Sequence, residues 1–267
     1  YDLRGGSNMA DIQVNLVDKP DRSEQSHDIA KLLRPKIQEL GKKYHANIKI
    51  VEVPPGPPVL STIVAEVYGP DYDKQMELAD KVKGILNNTT DVVDVDWMVE
   101  DDQVEYDFVV DKEKAMLYGV TPQQIVQVMA MAFRENPVSH IYREDAFDQI
   151  GIVLSISEKD KSSLDEIKQL KIASQQGNMV SVGDLVSVKE GTKAKSIYRK
   201  NQKRVVYVMS DMAGELESPV YAILGMTDKL NQLELPQGYS INELYMEQPQ
   251  FEDDYTVKWD GEWQITL

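Results

Sequence analysis

Three histidines, eleven methionines and no cysteine bound the chemistry open to this 267-residue chain. His27 lies at a helix start, His45 follows Tyr44 ahead of a strand, and His140 falls in a polar loop. No spacing sets two imidazoles on one face for a metal, so each is read as a surface histidine. Without thiols there is no disulfide, zinc-thiolate site or cysteine nucleophile. The chain holds no Gly-x-Ser-x-Gly elbow, phosphate loop or dinucleotide fingerprint, and Gly5-Gly6 reads as a turn. Glu100-Asp101-Asp102 and Asp253-Asp254 concentrate carboxylates, but they lack the alternating ligands and central glycine of a calcium loop and read as solvated turns. Thioether sulfur suits copper(I) or silver. Met76, Met129 and Met226 instead fall on or beside apolar helix faces, where core filling is expected, while Met98 and Met246 end strands. These residue types point away from an enzyme, and no catalytic, metal or cofactor site is assigned.

The elements that carry these side chains follow one repeated pattern: a β-branched strand, a polar turn, an amphipathic helix and a second strand. It runs from Asp11 to Val53, Ile63 to Val99 and Val205 to Met246, each roughly 40 residues, the size of a split βαβ unit. In the first, Ile12, Val14 and Leu16 alternate with Gln13 and Asn15, and Ile29, Leu33, Ile37 and Leu40 line a helix that Gly41 is expected to stop. Pro35 predicts a kink or restart near Arg34. In the second, strand Ile63 to Tyr68 ends at Gly69-Pro70, and Tyr72, Met76, Ala79, Val82 and Leu86 share a helix face. The return strand Val92 to Val99 alternates with Asp94 and Asp96 on its wet face. The third has strand Val205 to Met209, a helix from Pro219 with Val220, Ile223, Thr227 and Leu230, and strand Tyr239 to Met246.

Between the second and third units the pattern changes. Val104, Tyr106, Phe108 and Val110 alternate as a strand. Thr121-Pro122-Gln123-Gln124 then combines an N-cap hydroxyl, a proline at the first helical position and a glutamine at the third. Residues 135 to 149 read as a long polar excursion before strand Ile152 to Ile156. A helix at Ser163 to Leu170, a strand at Lys171 to Ala173, the turn Gln176-Gly177-Asn178 and a strand pair, Met179 to Val182 and Leu185 to Lys189, complete an αβ insert.

A chain that is 42% hydrophobic with a mean hydropathy of -0.42 has no apolar run near the roughly 20 residues of a membrane helix. The net charge of -16 and the short basic stretches Arg199-Lys200 and Lys203-Arg204 exclude nucleic acid as a partner. The chain begins without methionine and stops in an amphipathic stretch, Trp263 to Leu267, as expected of a piece of a longer polypeptide.

The pieces Val53-Pro54-Pro55-Gly56-Pro57-Pro58, Val67-Tyr68-Gly69-Pro70-Asp71 and Asp111-Lys112-Glu113-Lys114-Ala115, with Tyr118-Gly119-Val120-Thr121 and the turn from Gln176 to Leu185, carry a resemblance. In their order they resemble the second large periplasmic loop of resistance-nodulation-division efflux permeases. The resemblance implies an α+β fold: two ferredoxin-like split βαβ porter subdomains with an inserted α+β docking subdomain. Residues 1–58 would be part of the first porter subdomain and 59–103 with 197–248 the second. Residues 104–196 would be the docking subdomain, and 249–267 would lead to the next membrane helix. It further implies export of small amphiphilic molecules, drugs or metals, by a proton-driven trimer at the periplasmic face of the bacterial inner membrane. The partners implied are a periplasmic adaptor protein and an outer-membrane channel; the fragment alone is expected to be a monomer.

By the same resemblance, Val51, Val53, Trp97 and Met98 flank the substrate cleft, and Pro54 to Pro58 form a stiff joint between porter subdomains. Where the family's entrance carries an arginine, this chain has Asp96, which weighs against anionic cargo. Residues 136–149 could meet a neighbouring protomer or the channel. Two other classes share parts of the pattern, a ferredoxin-like regulatory ligand-binding module and a periplasmic domain of a secretion-helper membrane protein, but neither accounts for the insert.

Overall fold

A computed structural model describes residues 9–52, 59–134, 137–161, 163–215, 217–236 and 238–264. Val53, the proline joint 54–58, Gly5-Gly6, Asn136 and the last three residues lie outside them. The chain divides into two compact units, one of residues 1–100 and 195–267, the other of residues 101–194.

The first unit begins with helix α1 (Ser26–Tyr44). Pro35 sits inside it without ending it, since a missing N–H removes a single backbone bond, and the helix runs three residues past Gly41 to close at His45, φ 52. Gly41 serves a close approach instead of a stop: a Cβ there would lie 2.7 Å from the Ala46 carbonyl oxygen. The strands expected on either side of α1 are not formed. Residues 9–18 and 46–52 have no ladder partner among the described residues, and an alternating pattern without an edge to pair with stays extended and exposed, as Ile12, Val14 and Val51 are.

Strand β1 (Ile63–Tyr68), helix α2 (Tyr72–Asn87) and strand β2 (Val92–Trp97) follow. Asp71 caps α2 by accepting from Lys74 N–H at 2.9 Å.

The second unit then runs through strand β3 (Val104–Val110) and helices α3 (Lys112–Leu117) and α4 (Pro122–Phe133). The Thr121 cap forms as the sequence predicts: Gln124 N–H donates to Thr121 Oγ1 at 3.2 Å and Thr121 N–H to Gln124 Oε1 at 2.8 Å. The polar excursion contains a strand. Strand β4 (Pro137–Ile141), which contains His140, pairs with β5 (Ile150–Val153) in an exposed hairpin. Short helices α5 (Glu158–Lys161) and α6 (Leu164–Gln169) lead to β6 (Lys171–Ala173) and β7 (Met179–Ser181), which pair around the turn at Gly177. The strands expected from Met179 and from Leu185 both form, but they do not pair with each other. Val182 to Leu185 is one helical turn, α7, and β8 (Val186–Thr192) pairs with β3. Val182 and Leu185, three apart, are both fully buried, which a helical turn allows and a strand does not.

The chain re-enters the first unit through a two-residue hairpin, β9 (Arg199–Lys200) and β10 (Lys203–Arg204), whose Asn201 and Gln202 both take positive φ. Strand β11 (Val206–Met212), helix α8 (Pro219–Asn231) and strands β12 (Asn242–Leu244) and β13 (Thr256–Asp260) complete it. The stretch after Gln248 supplies an inner strand of the sheet.

The sheet order is β12-β13-β1-β11-β2, antiparallel except for β12 with β13. β1 and β2 are separated by β11, and β11 and β12 by β1 and β13, so two split βαβ units interleave in one sheet. Ile63, Ala65, Val67, Val206, Val208, Val257 and Trp259 meet Leu78, Val82, Leu86, Ile223, Met226 and Leu230 of α2 and α8 in one core. The second unit has its own core around Ala115, Ile125, Ile172, Val182 and Leu185. The fold is mixed α and β, as the sequence implied.

Candidate functional site

The opposite face of the five-stranded sheet is polar and buried. Glu66, fully buried in β1, stands across from Lys258 and Tyr207 in the ladders. It accepts from Tyr68 Oη at 2.8 Å and from Lys200 Nζ, which also reaches Asp260 at 2.7 Å. Lys258, 2% exposed, lies 3.1 Å from Asp260. Two carboxylates and two ammonium groups thereby balance, the condition for burying charge at all. Burial pushes the Glu66 carboxyl up, whereas at Asp260 contacts with Glu66, Lys200 and Gly261 N–H outweigh burial and hold it well below the usual range.

Toward the β2 edge the same face meets the segment that follows α1. Asp94, whose side chain is 1% exposed, pairs with Arg34 of α1 and accepts from Ile50 N–H at 3.2 Å; Asp96 pairs with Lys49. The Asp94 and Asp96 face is therefore not wet: it is a seam of ion pairs. At one end of α1, His27 touches Glu52 and Glu217, and Lys31 Nζ lies 2.7 Å from Glu217 and 2.7 Å from the Gly214 oxygen. Lys31 first, then His27, bring the Glu217 carboxyl down to about 2. Glu217 also borders a cavity of about 420 Å³ with Thr62, Pro219, Glu262 and Trp263.

The cleft residues named from the sequence are distributed around this seam. Val51 is 56% exposed and next to Ile50. Met98 is half-buried, its N–H bonded to the Tyr207 oxygen at 2.9 Å; by strand alternation it follows Asp94 and Asp96 on the seam face. Trp97 lies on the other face, at the rim of the helix-covered core, with Lys83 Nζ 4.5 Å from its ring centre. Val53 is outside the described residues. His27, read from the sequence as a surface histidine, instead bridges two carboxylates. Arg34, Lys49 and Glu217 carry no sequence signal, because nothing local distinguishes them from surface charges.

Among the described residues no group of three or more His, Asp or Glu could hold a metal, and no helix is long and apolar enough to cross a membrane. A family model described as the AcrB/AcrD/AcrF family matches residues 2–251. The chain belongs to that family, the resistance-nodulation-division permeases. Its relatives include the swarming motility protein SwrC of Bacillus subtilis, 26% identical over 181 residues, 66% of this chain and 16% of SwrC. Another is the nickel and cobalt resistance protein CnrA of Cupriavidus metallidurans, 24% identical over 161 residues, 58% of this chain and 15% of CnrA. The chain thus spans about a sixth of the length of these family members. Among solved structures, a heavy metal efflux pump superposes with a TM-score of 0.56 at 17% identity, covering 77% of this chain and 19% of the pump. At that identity the likeness is one of fold.

Proposed function

We propose that this chain is the porter and docking portion of a proton-driven efflux transporter, working at the periplasmic face of the inner membrane within a trimer. On this reading residues 101–194 dock toward an adaptor protein and an outer-membrane channel. The sheet unit is the second porter subdomain, and α1 with its flanking segments is the later part of the first. The observation that carries it, beyond family membership, is the attachment of α1. No α1 residue belongs to the core that α2 and α8 build, and Arg34, His27, Lys31 and the nearby Lys49 hold it by charge. Elements that rock against each other need such a separable seam, since interdigitated cores resist sliding.

Substrate would enter where the seam opens, against Val51 and Met98 with Trp97 as supporting wall, and the cargo proposed is a small amphiphilic molecule, neutral or cationic given Asp94 and Asp96. A second cargo class, divalent metal ions, is favoured by the names of CnrA and the heavy metal pump. The test is a drug and metal susceptibility panel of a strain lacking the parent gene, complemented with wild type or with Val51→Ser, Trp97→Ala or Met98→Ala. Hypersensitivity on deletion is expected, with partial rescue by the variants toward some cargo. No change on deletion against either class would sink the efflux reading; full rescue by all three variants would sink the cleft placement alone.

A further inference from the structure

His27 is bound on both ring nitrogens by carboxylates: Nδ1 lies 2.7 Å from Glu52 Oε1 and Nε2 lies 2.9 Å from Glu217 Oε1. An ionised carboxylate only accepts, so both contacts are hydrogen bonds only when both nitrogens carry protons. Either neutral tautomer turns one ring lone pair against a carboxylate oxygen. The geometry therefore selects imidazolium. We infer that His27 is a proton-dependent latch, fastening α1 and the segment behind it to the turn before α8 while the ring is doubly protonated and releasing them when it loses a proton.

The charges around the ring come from four places. Asp28 and Lys31 share its helix, Glu52 comes from the segment after α1, Glu217 from the turn before α8, and Asp91 from the turn before β2 acts on Lys31. Lys31 keeps Glu217 paired whatever the state of the ring. Glu52 has no other cation partner among the described residues, so release begins at Glu52, at the threshold of residues 53–58. No α1 residue belongs to the core of α2 and α8, so its attachment rests on such contacts, of which the exposed His27–Glu52 pair is a weaker one than the dry Arg34–Asp94 pair. Glu217 first and then Glu52 raise the ring above its ordinary 6.5. A raised folded value means the latch contributes fully below pH 6.5 and is lost as pH rises through the folded value. Its bearing on transport rests on the reading proposed above; the latch itself does not.

The test is a nitrogen-15 histidine NMR titration of the full chain, together with amide exchange of α1. In wild type both His27 nitrogens are expected protonated below the midpoint, and α1 protection to fall as pH rises through it. The midpoint should drop in Glu52→Gln and further in Glu52→Gln/Glu217→Gln, and α1 protection in His27→Gln should no longer follow pH across that window. An unmoved midpoint in Glu52→Gln, or an undiminished pH response in His27→Gln, overturns the latch. Both readouts are independent of export, so failure of the efflux test leaves them standing.

Discussion

Replacing Asp94 with Asn tests the seam that holds α1. The carboxylate is 1% exposed and its partner Arg34 10% exposed by side chain, so the pair is dry. Asp94 takes φ 53, a left-handed conformation that Asn tolerates well, and Asn keeps an oxygen for the Ile50 N–H at 3.2 Å. What is lost is the countercharge. Breaking a buried pair from one side costs about 3–5 kcal/mol, because the survivor stays desolvated and uncompensated. Arg34 keeps a bond to the Ile50 carbonyl oxygen at 3.4 Å, so the lower end applies. A loss of about 3 kcal/mol is roughly a 100-fold rise in the open population of α1. Amide exchange reads this directly, with β1 amides as an internal reference that should not change. Arg34→Met paired with Asp94→Asn removes both charges and should recover most of the loss. The reasoning is refuted if α1 protection in Asp94→Asn matches wild type, or if the two substitutions add within about 0.5 kcal/mol, as independent sites do.

Two further outcomes follow from the same contacts. Thr121→Ala removes one half of the α4 capping box and should cost about 1 kcal/mol, read as faster exchange at Gln124 and Ile125 with no change in the sheet unit. On the acid side, a carboxyl lowered from 4.5 to about 2 contributes above pH 4.5 and loses that contribution as pH falls toward 2, so α1 protection should decline in that window in wild type and not in Glu217→Gln. An acid profile identical in both proteins would show that Glu217 does not tether α1.

Local pattern made much of the sheet unit readable. Runs such as Ile63 to Tyr68 and Val205 to Met209 are rich in β-branched residues and nearly continuously apolar, which is the mark of strands covered on both faces. The capping box of α4 needed only four residues to announce itself. The interleaving of β11 between β1 and β2 did not show, because register is settled by pairings more than a hundred residues apart. Asp94 and Asp96 looked like solvent-facing residues for the same reason: the cations that bury them, Arg34 and Lys49, come from 60 and 47 residues away. The strand expected from Ile12 to Leu16 had the right alternation, yet alternation specifies a face and not a partner. Near Gly183 the run Val180-Ser181-Val182 continued the strand pattern, and only the burial of both Val182 and Leu185 reveals the helical turn.

The route by which the chain leaves and rejoins the five-stranded sheet has an architectural consequence. Met98 N–H binds the Tyr207 oxygen at 2.9 Å, and Ser196 N–H binds Glu100 Oε2 at 2.8 Å, so departure and return share one hydrogen-bonded doorway between adjacent strands. Anything threaded through that doorway can grow, shrink or be exchanged without re-registering β2 against β11. Residues 101–194 behave, in that sense, as a cassette. A short turn joining residue 100 to residue 195 would leave every ladder of the sheet with its present neighbours, and would reduce the connection from β2 to β11 to a short one built around the β9–β10 hairpin.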